Sequence, residues 1–142
     1  YGSGSIRVNM RTFSDKQRCP CGSGKALVAC CGAFIHDQLP VPTAEQLMRS
    51  RYTAFVLGEA EYLMQTWHER TRPSSLQIDD ARWLGLKICN IQQGGVADEQ
   101  GKVEFVARYK VNGRGYRLHE VSRFVRQGGQ WFYLEGEQKG QA

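Results

Sequence analysis

Lys102-Val103-Glu104-Phe105-Val106-Ala107-Arg108-Tyr109-Lys110-Val111 is followed by Asn112-Gly113. Gly115-Tyr116-Arg117-Leu118-His119-Glu120-Val121-Ser122-Arg123-Phe124-Val125-Arg126 comes next, then Gly128-Gly129, then Gln130-Trp131-Phe132-Tyr133-Leu134-Glu135. The three apolar-alternating runs are long enough for strands, and Asn-Gly and Gly-Gly are strong hairpin signals. The stretch therefore reads as an antiparallel meander. Trp83–Gln93 reads as a further strand, joined to it through the longer Gly94–Gly101 loop. No strand–helix–strand alternation appears, which argues against a parallel sheet.

Alternation also assigns the faces, because successive side chains of a strand point to opposite sides. Val103, Phe105, Ala107, Tyr109 and Val111 share one face. Pairing through the hairpins adds Tyr116, Leu118, Glu120, Ser122, Phe124, Trp131 and Tyr133, and this is the expected core face. The other face carries Glu104, Arg108, Lys110, Arg117, His119 and Arg123 among Val121, Val125 and Phe132, which suits solvent or a dimer interface. Glu120 and Ser122 are the misfits of the core face. A buried carboxylate must raise its pKa or find a cation.

Upstream lie the helices that would cover this sheet. Thr43 with Gln46 forms a capping-box pattern, and a helix is expected over 44–57, with Leu47, Met48, Arg51, Tyr52, Phe55 and Val56 on one face and Gly58 as its stop. A second helix is expected over 60–68, with Tyr62, Leu63 and Trp67 inward and Pro73 beyond it. Phe34 to Pro42 reads as a linker. Arg51 interrupts the apolar stripe. Its stem is expected to be buried and its guanidinium to reach water, the other possibility being a buried cation facing a carboxylate, for which Glu120 is the candidate. His68 is expected at a helix end and Cys89 in the core. If the core face encloses a pocket, its polar floor would comprise Arg51, Tyr52, His68, Glu120 and Ser122.

The most specific chemistry lies nearer the N-terminus. Cys19-Pro20-Cys21-Gly22-Ser23-Gly24-Lys25 is closed by Cys30-Cys31. Five cysteines and no secretory signal argue against a disulfide framework. Adjacent cysteines are also awkward to bridge. Four thiolates suit a tetrahedral zinc ion at Cys19, Cys21, Cys30 and Cys31, with Gly22, Ser23 and Gly24 supplying the turn. Residues 25–31 are expected to make one helical turn, with Gly32 as its stop. Four protein ligands leave no open position, so the ion would be structural.

Composition sets broad limits. At 142 residues, with 41% hydrophobic and 23% charged, the chain is an ordinary globular one and not a disordered tail. No apolar run reaches the length of a membrane span, and a cytoplasmic setting is expected. The formal charge of +5 is mild, and four bound thiolates with a divalent ion would lower it by two. Residues 1–14 are expected to be a leader, of which Tyr1–Asn9 comes from an expression vector ahead of a native start at Met10, and 138–142 a frayed tail.

Cys19-Pro-Cys-Gly-Ser-Gly-Lys25 closed by Cys30-Cys31 resembles the SEC-C motif, found at the C-terminus of the preprotein translocase ATPase SecA and appended to other bacterial proteins. That resemblance implies zinc at these four cysteines and a module, here 15–34, that docks to another macromolecule. Pro42-Thr-Ala-Glu-Gln-Leu-Met-Arg-Ser-Arg-Tyr-Thr-Ala-Phe55, His119-Glu-Val-Ser-Arg-Phe-Val-Arg126 and Trp131-Phe-Tyr133 are similar to the YchJ-like family of small bacterial proteins. This second resemblance implies an α+β fold. A small zinc module is followed, over 43–137, by a nuclear-transport-factor-2-like (cystatin-like) domain with a curved antiparallel sheet packed on helices. It implies no activity, and whether the chain is an enzyme stays open.

Three functional readings follow. The first is a zinc-binding protein whose SEC-C module docks to a protein or ribosomal partner. The second is a small-molecule-binding or enzymatic domain with its pocket near Glu120. The third, ranked last because the aromatic residues lie mainly on the opposite face, is nucleic-acid binding through Arg108, Lys110, Arg117 and Arg123. No phosphate loop and no Ser/His/Asp order is evident.

Overall fold

The computed structural model describes residues 17–76, 78 and 80–139. The leader and the last three positions of the tail lie outside them. A loop and a 3₁₀ turn at Leu27–Ala29 lead into α1 (Cys31–Ile35). After it come α2 (Ala44–Leu57), α3 (Ala60–Gln65), β1 (Arg82–Gln93), β2 (Gln100–Val111), β3 (Arg114–Gln127) and β4 (Gln130–Gln138). The four strands form one antiparallel sheet in the order β1-β2-β3-β4.

The sheet is the meander that its turns dictate. Asn112 and Gly113 both have positive φ, as the tight hairpin between β2 and β3 requires, and Gly128 and Gly129 do the same between β3 and β4. The register pairs Val103 with Ser122, Phe105 with Glu120, Ala107 with Leu118 and Tyr109 with Tyr116, so the core face is the one that alternation assigns. The strands bulge at Leu84 and Cys89 in β1 and at Leu134 in β4. The β4 bulge brings Gly136 opposite Ser122 and Gln138 opposite Glu120.

α2 lies across this face. Ala44, Leu47, Met48 and Tyr52 pack with Val103, Phe105, Ala107, Phe124 and Trp131 in one core. Thr43 caps the helix by accepting from Gln46 N at 3.2 Å, and Gly58 ends it with φ 76°. Val56, expected inward, is exposed. Ala44 N also donates to Gly94 O at 2.9 Å, tying the start of α2 to the β1–β2 connection.

Several expectations need correction. α3 ends at Gln65 and not at His68, because the chain leaves the helix to pair with β4. Tyr133 N donates to Thr66 O, His68 N donates to Tyr133 O, and Trp67 forms a parallel bridge with Tyr133. Phe34 and Ile35 belong to α1 rather than to a linker, and Pro42 O accepts from Trp131 Nε1 at 3.1 Å. Cys89 is exposed at its bulge instead of lying in the core. β4 continues in strand through Gln138, beyond the expected fraying point.

Candidate metal centre

The cysteine loop is a short antiparallel excursion. Arg18 and Ala26 form an isolated bridge, Leu27 N donates to Gln17 O, and Cys19 N donates to Lys25 O. Between them the chain reverses at Gly22 and Gly24, whose φ values of 83° and 86° favour glycine. Cys19 and Cys21 are thus presented from one arm. The second arm is the 3₁₀ turn, after which Cys30 (φ −127°, ψ −113°) kinks the chain into α1 and Cys31 opens that helix.

Gly32, expected to stop a helix, instead lies inside α1. A Cβ on it would come within 2.7 Å of Leu27 O, so the bare backbone is what lets α1 close against the preceding turn.

The four sulfurs converge, with all four Sγ atoms within 4.8 Å of one another. Cys21 and Cys30 are 3.7 Å apart, and Cys30 and Cys31 4.0 Å. A tetrahedron with metal–sulfur bonds of about 2.3 Å has sulfur–sulfur edges of about 3.8 Å. The spacing therefore fits a soft tetrahedral metal ion. Contacts with Cys19 and Cys21 push the Cys31 thiol up, while contacts with Cys19 and Cys31 hold the Cys21 thiol down. Four sulfurs this close cannot all ionise unless a cation sits between them.

Polar neighbours hold the ligands in place. Thr53 Oγ1, on α2, is 3.6 Å from Cys19 Sγ, and Ser23 Oγ is 3.2 Å from Cys30 Sγ. Lys25 N donates to Ser23 Oγ, fixing that hydroxyl. Arg49, also on α2, donates to Cys21 O at 2.7 Å and to Glu45 Oε2 at 2.9 Å. Arg18 spends its guanidinium on Gly24 O.

The motif reveals nothing of how deeply the module is embedded. Cys19, Cys21 and Cys31 are buried, and with Leu27 and Ile35 they share a core with Ala54, Tyr62 and Leu63 from α2 and α3. Cys30 is the candidate ligand nearest solvent. It opens on a cleft of about 560 Å³ whose walls include Ser23, Lys25, Phe34, Leu39, Glu45 and Arg49.

The residues expected to floor a pocket occupy three places. Glu120 and Ser122 are together, with Ser122 Oγ donating to Glu120 Oε2 at 3.2 Å. Burial raises the Glu120 carboxyl, while the Ser122 bond and the charge of Arg51 pull it back. Arg51 is 5% exposed and does not snorkel. Its Nη1 donates to Leu63 O at 2.8 Å and to Thr66 Oγ1 at 2.7 Å, and its guanidinium lies 4.5 Å from the Tyr133 ring centre and 5.3 Å from that of Trp67. Burial lowers its pKa to about 10. Among the described residues Arg51 makes no ion pair with Glu120.

Tyr52, one residue on and so turned about 100° around the helix, points elsewhere. It meets Trp83 edge-on at 5.8 Å, with its hydroxyl near the Gly85 backbone. His68 is on the rim. Its Nδ1 accepts from Arg70 N and its Nε2 is 2.7 Å from Gln127 Oε1, an arrangement that fixes the Nε2–H tautomer.

Sequence reading missed Tyr133 and Trp67 as the aromatic walls around Arg51. Their position depends on the β4 bulge and on the bridge from α3, neither of which leaves a local signal.

Fold and site together define a SEC-C-type cysteine module fused onto a nuclear-transport-factor-2-like domain. The family model described as "YchJ, middle NTF2-like domain" matches residues 43–136, and the chain belongs to this family. A UPF0225 protein of Chromobacterium violaceum is 49% identical over 123 residues, covering 83% of this chain and 90% of that one. The solution structure of a SEC-C motif containing protein from Rhodopseudomonas palustris superposes with a TM-score of 0.76 at 31% identity, covering 87% of this chain and all of that one. The crystal structure of a SEC-C motif containing protein from Psychrobacter arcticus gives 0.72 at 25% identity, covering 90% and 86%.

Proposed function

We propose that this chain is a zinc-binding protein in which a structural ion, held by Cys19, Cys21, Cys30 and Cys31, fixes a docking module (15–34) onto the body (43–137). The observation that carries this reading is the closed set of four sulfurs, three of them buried, which leaves no position for a reacting water. Tetrahedral all-thiolate sites select zinc or iron, and zinc alone adds no redox chemistry. Docking to a protein or ribosomal partner is supported by the cleft beside Cys30, where exposed Leu39 and half-buried Phe34 stand next to Lys25 and Arg49. None of the five cysteines forms a disulfide, which supports a reducing, cytoplasmic setting.

Metal analysis of the purified chain is expected to give one zinc per molecule and no iron. Iron, or a broad visible absorption band, would count against the assignment. Affinity capture with Leu39→Asp in the cleft should lose partners that the wild-type chain retains, with metal content unchanged. An identical partner set would sink the docking role.

A second reading, small-molecule binding between sheet and helices, is favoured by one observation. Trp67 Nε1 is buried without a hydrogen-bond partner, and beside it Arg51 uses only Nη1 for hydrogen bonds among the described residues. A ligand-observed NMR screen of small carboxylic acids tests it. Hits should vanish in Glu120→Gln or Arg51→Met, and a blank screen argues for a purely architectural cluster.

A further inference from the structure

The outer face of the sheet is divided sharply by charge. At one end acids are interspersed among the cations, although Lys102 lies directly opposite Arg123 there. Arg123 lies 3.8 Å from Glu135, and His119 lies 2.7 Å from Glu104. At the other end, around the Asn112-Gly113 hairpin, the cations face one another with no acid paired to them among the described residues. Arg82 lies directly opposite Lys110, and Arg108 lies directly opposite Arg117. Lys87 extends the group along β1. All five are exposed, and among the described residues none of them makes an ion pair.

Like charges directly opposite one another across strands are destabilising. Here two such pairs lie side by side on three adjacent strands, with no carboxylate set between them among the described residues. Asp80, two residues before Arg82, forms no ion pair among the described residues either. A merely solvated face would be expected to mix signs, as the far end does. The concentration is also local, because the whole chain carries only +5.

An aromatic feature marks the same end. Trp83, Tyr109 and Tyr116 form a ladder across the three strands on the opposite face, with ring centres 5.0 and 5.3 Å apart. Trp83 is seated on Tyr52 and Phe55 of α2. Tyr116 closes the ladder at 42% exposure, with the Arg114 guanidinium 6.0 Å from its ring centre. At this exposed end one more flat ring could stack on Tyr116, beside or in place of the Arg114 guanidinium.

We propose that this end of the sheet binds single-stranded nucleic acid. Arg82, Lys87, Arg108, Lys110 and Arg117 would contact backbone phosphates, and Tyr116 would stack on a base at the rim. Arginine predominates, and its planar fork matches phosphate oxygens in a way that a lysine-rich solvated surface does not. Base stacking on an exposed aromatic needs no sequence readout, so binding is expected to tolerate sequence. The proposal does not rest on the docking assignment. The absence of ion pairs among the described residues separates it from the rest of the basic face, and Arg123, which lies beside Glu135, is thereby excluded from it.

The test uses the full, metal-loaded chain and a fluorescein-labelled oligouridylate of 20 nucleotides, followed by anisotropy from 50 to 200 mM KCl. Four to five phosphate contacts predict a log–log salt slope of about −3. The double variant Arg108→Glu/Arg117→Glu should weaken binding at least about tenfold, and Tyr116→Ala should weaken it severalfold with the slope unchanged. Arg123→Glu, on the same face but at the paired end, should stay within about twofold of wild type. Circular dichroism melts confirm that each variant is folded. No anisotropy change at 50 mM KCl, or an equal loss in Arg123→Glu, overturns the proposal. So does binding to phosphatidylserine vesicles or to decaglutamate that matches or exceeds binding to the oligonucleotide, because the ligand would then be a membrane or an acidic peptide.

Discussion

Glu120 lies on the core face, over the bare backbone of Gly136. A Cβ on Gly136 would overlap the Glu120 carboxylate, with Tyr133 Oη 3.1 Å from the same point. The β4 bulge has therefore cleared space for a carboxyl group that burial drives toward its neutral form. Because the folded-state pKa lies above the ordinary 4.5, the sign is that of a group penalised when charged. Below about pH 4.5 the carboxyl is protonated in both states and costs nothing. As the pH rises through the raised folded-state pKa, ionisation is harder in the native protein and stability falls. Glu120→Gln, which can still accept from Ser122, should therefore match wild type near pH 4 and show a higher urea midpoint at pH 7. A wild-type midpoint that is equal or higher at pH 7 would mean that the carboxylate is compensated. The sequence exposes Glu120 and Ser122 as misfits, because alternation alone puts them among Phe105 and Phe124. It cannot say which cation answers them. Arg51 looks like the partner in the pattern, yet Nη1 is held by Leu63 O and Thr66 Oγ1 while the guanidinium lies against two rings.

Contacts between elements show where sequence reading ends. α2 keeps its expected bounds because Thr43 and Gly58 are local signals that act on their own neighbours. α3 falls short of its expected end because the competing attraction is β4, which lies far along the chain. The β1–β2 connection is a second example. Gly94, with φ 81°, has Ala44 Cβ 2.7 Å from where its own Cβ would be, and Gly101 is packed against the Gly94 backbone. Periodicity marks this loop only as a turn, whereas the structure makes it the seat of α2. Gly94→Ala should cost about 3 kcal/mol, combining left-handed strain with overpacking. Gly113→Ala has a similar φ of 78° but nothing within 4 Å, and should cost about 1 kcal/mol. Equal urea midpoints for the two variants would show that the contact with Ala44 carries no weight.

On the scale of the molecule, the cysteine module and the body share one core, and the motif alone does not show this. The four-cysteine cluster is legible because its residues lie at a specific spacing in the sequence. Its anchorage is not, since Leu27 and Ile35 meet Ala54, Tyr62 and Leu63 only after α2 and α3 have folded. Metal loading should therefore stabilise the whole chain in a single transition. A metal present at about a thousand times its dissociation constant contributes about 4 kcal/mol, which is about 15 °C in melting temperature for a chain of this size. Chelation, or Cys31→Ser, should lower the one calorimetric transition by about that much. Two separate transitions, with the Trp83 environment unchanged through the first, would show that the module is an independent appendage.

The clasp between β4 and the early helices also bears on how the protein is made. Trp131 Nε1 reaches back to Pro42 O across 89 positions of sequence, and Tyr133 closes over Arg51 and Trp67. During synthesis the cysteine loop and α2 leave the ribosome long before the strand that covers them. Until the residues through Gln138 have emerged, the apolar stripe of α2 has no complete sheet to pack against. The nascent chain is thus committed to a late, all-at-once closure, and its last strand decides when the first helices become native.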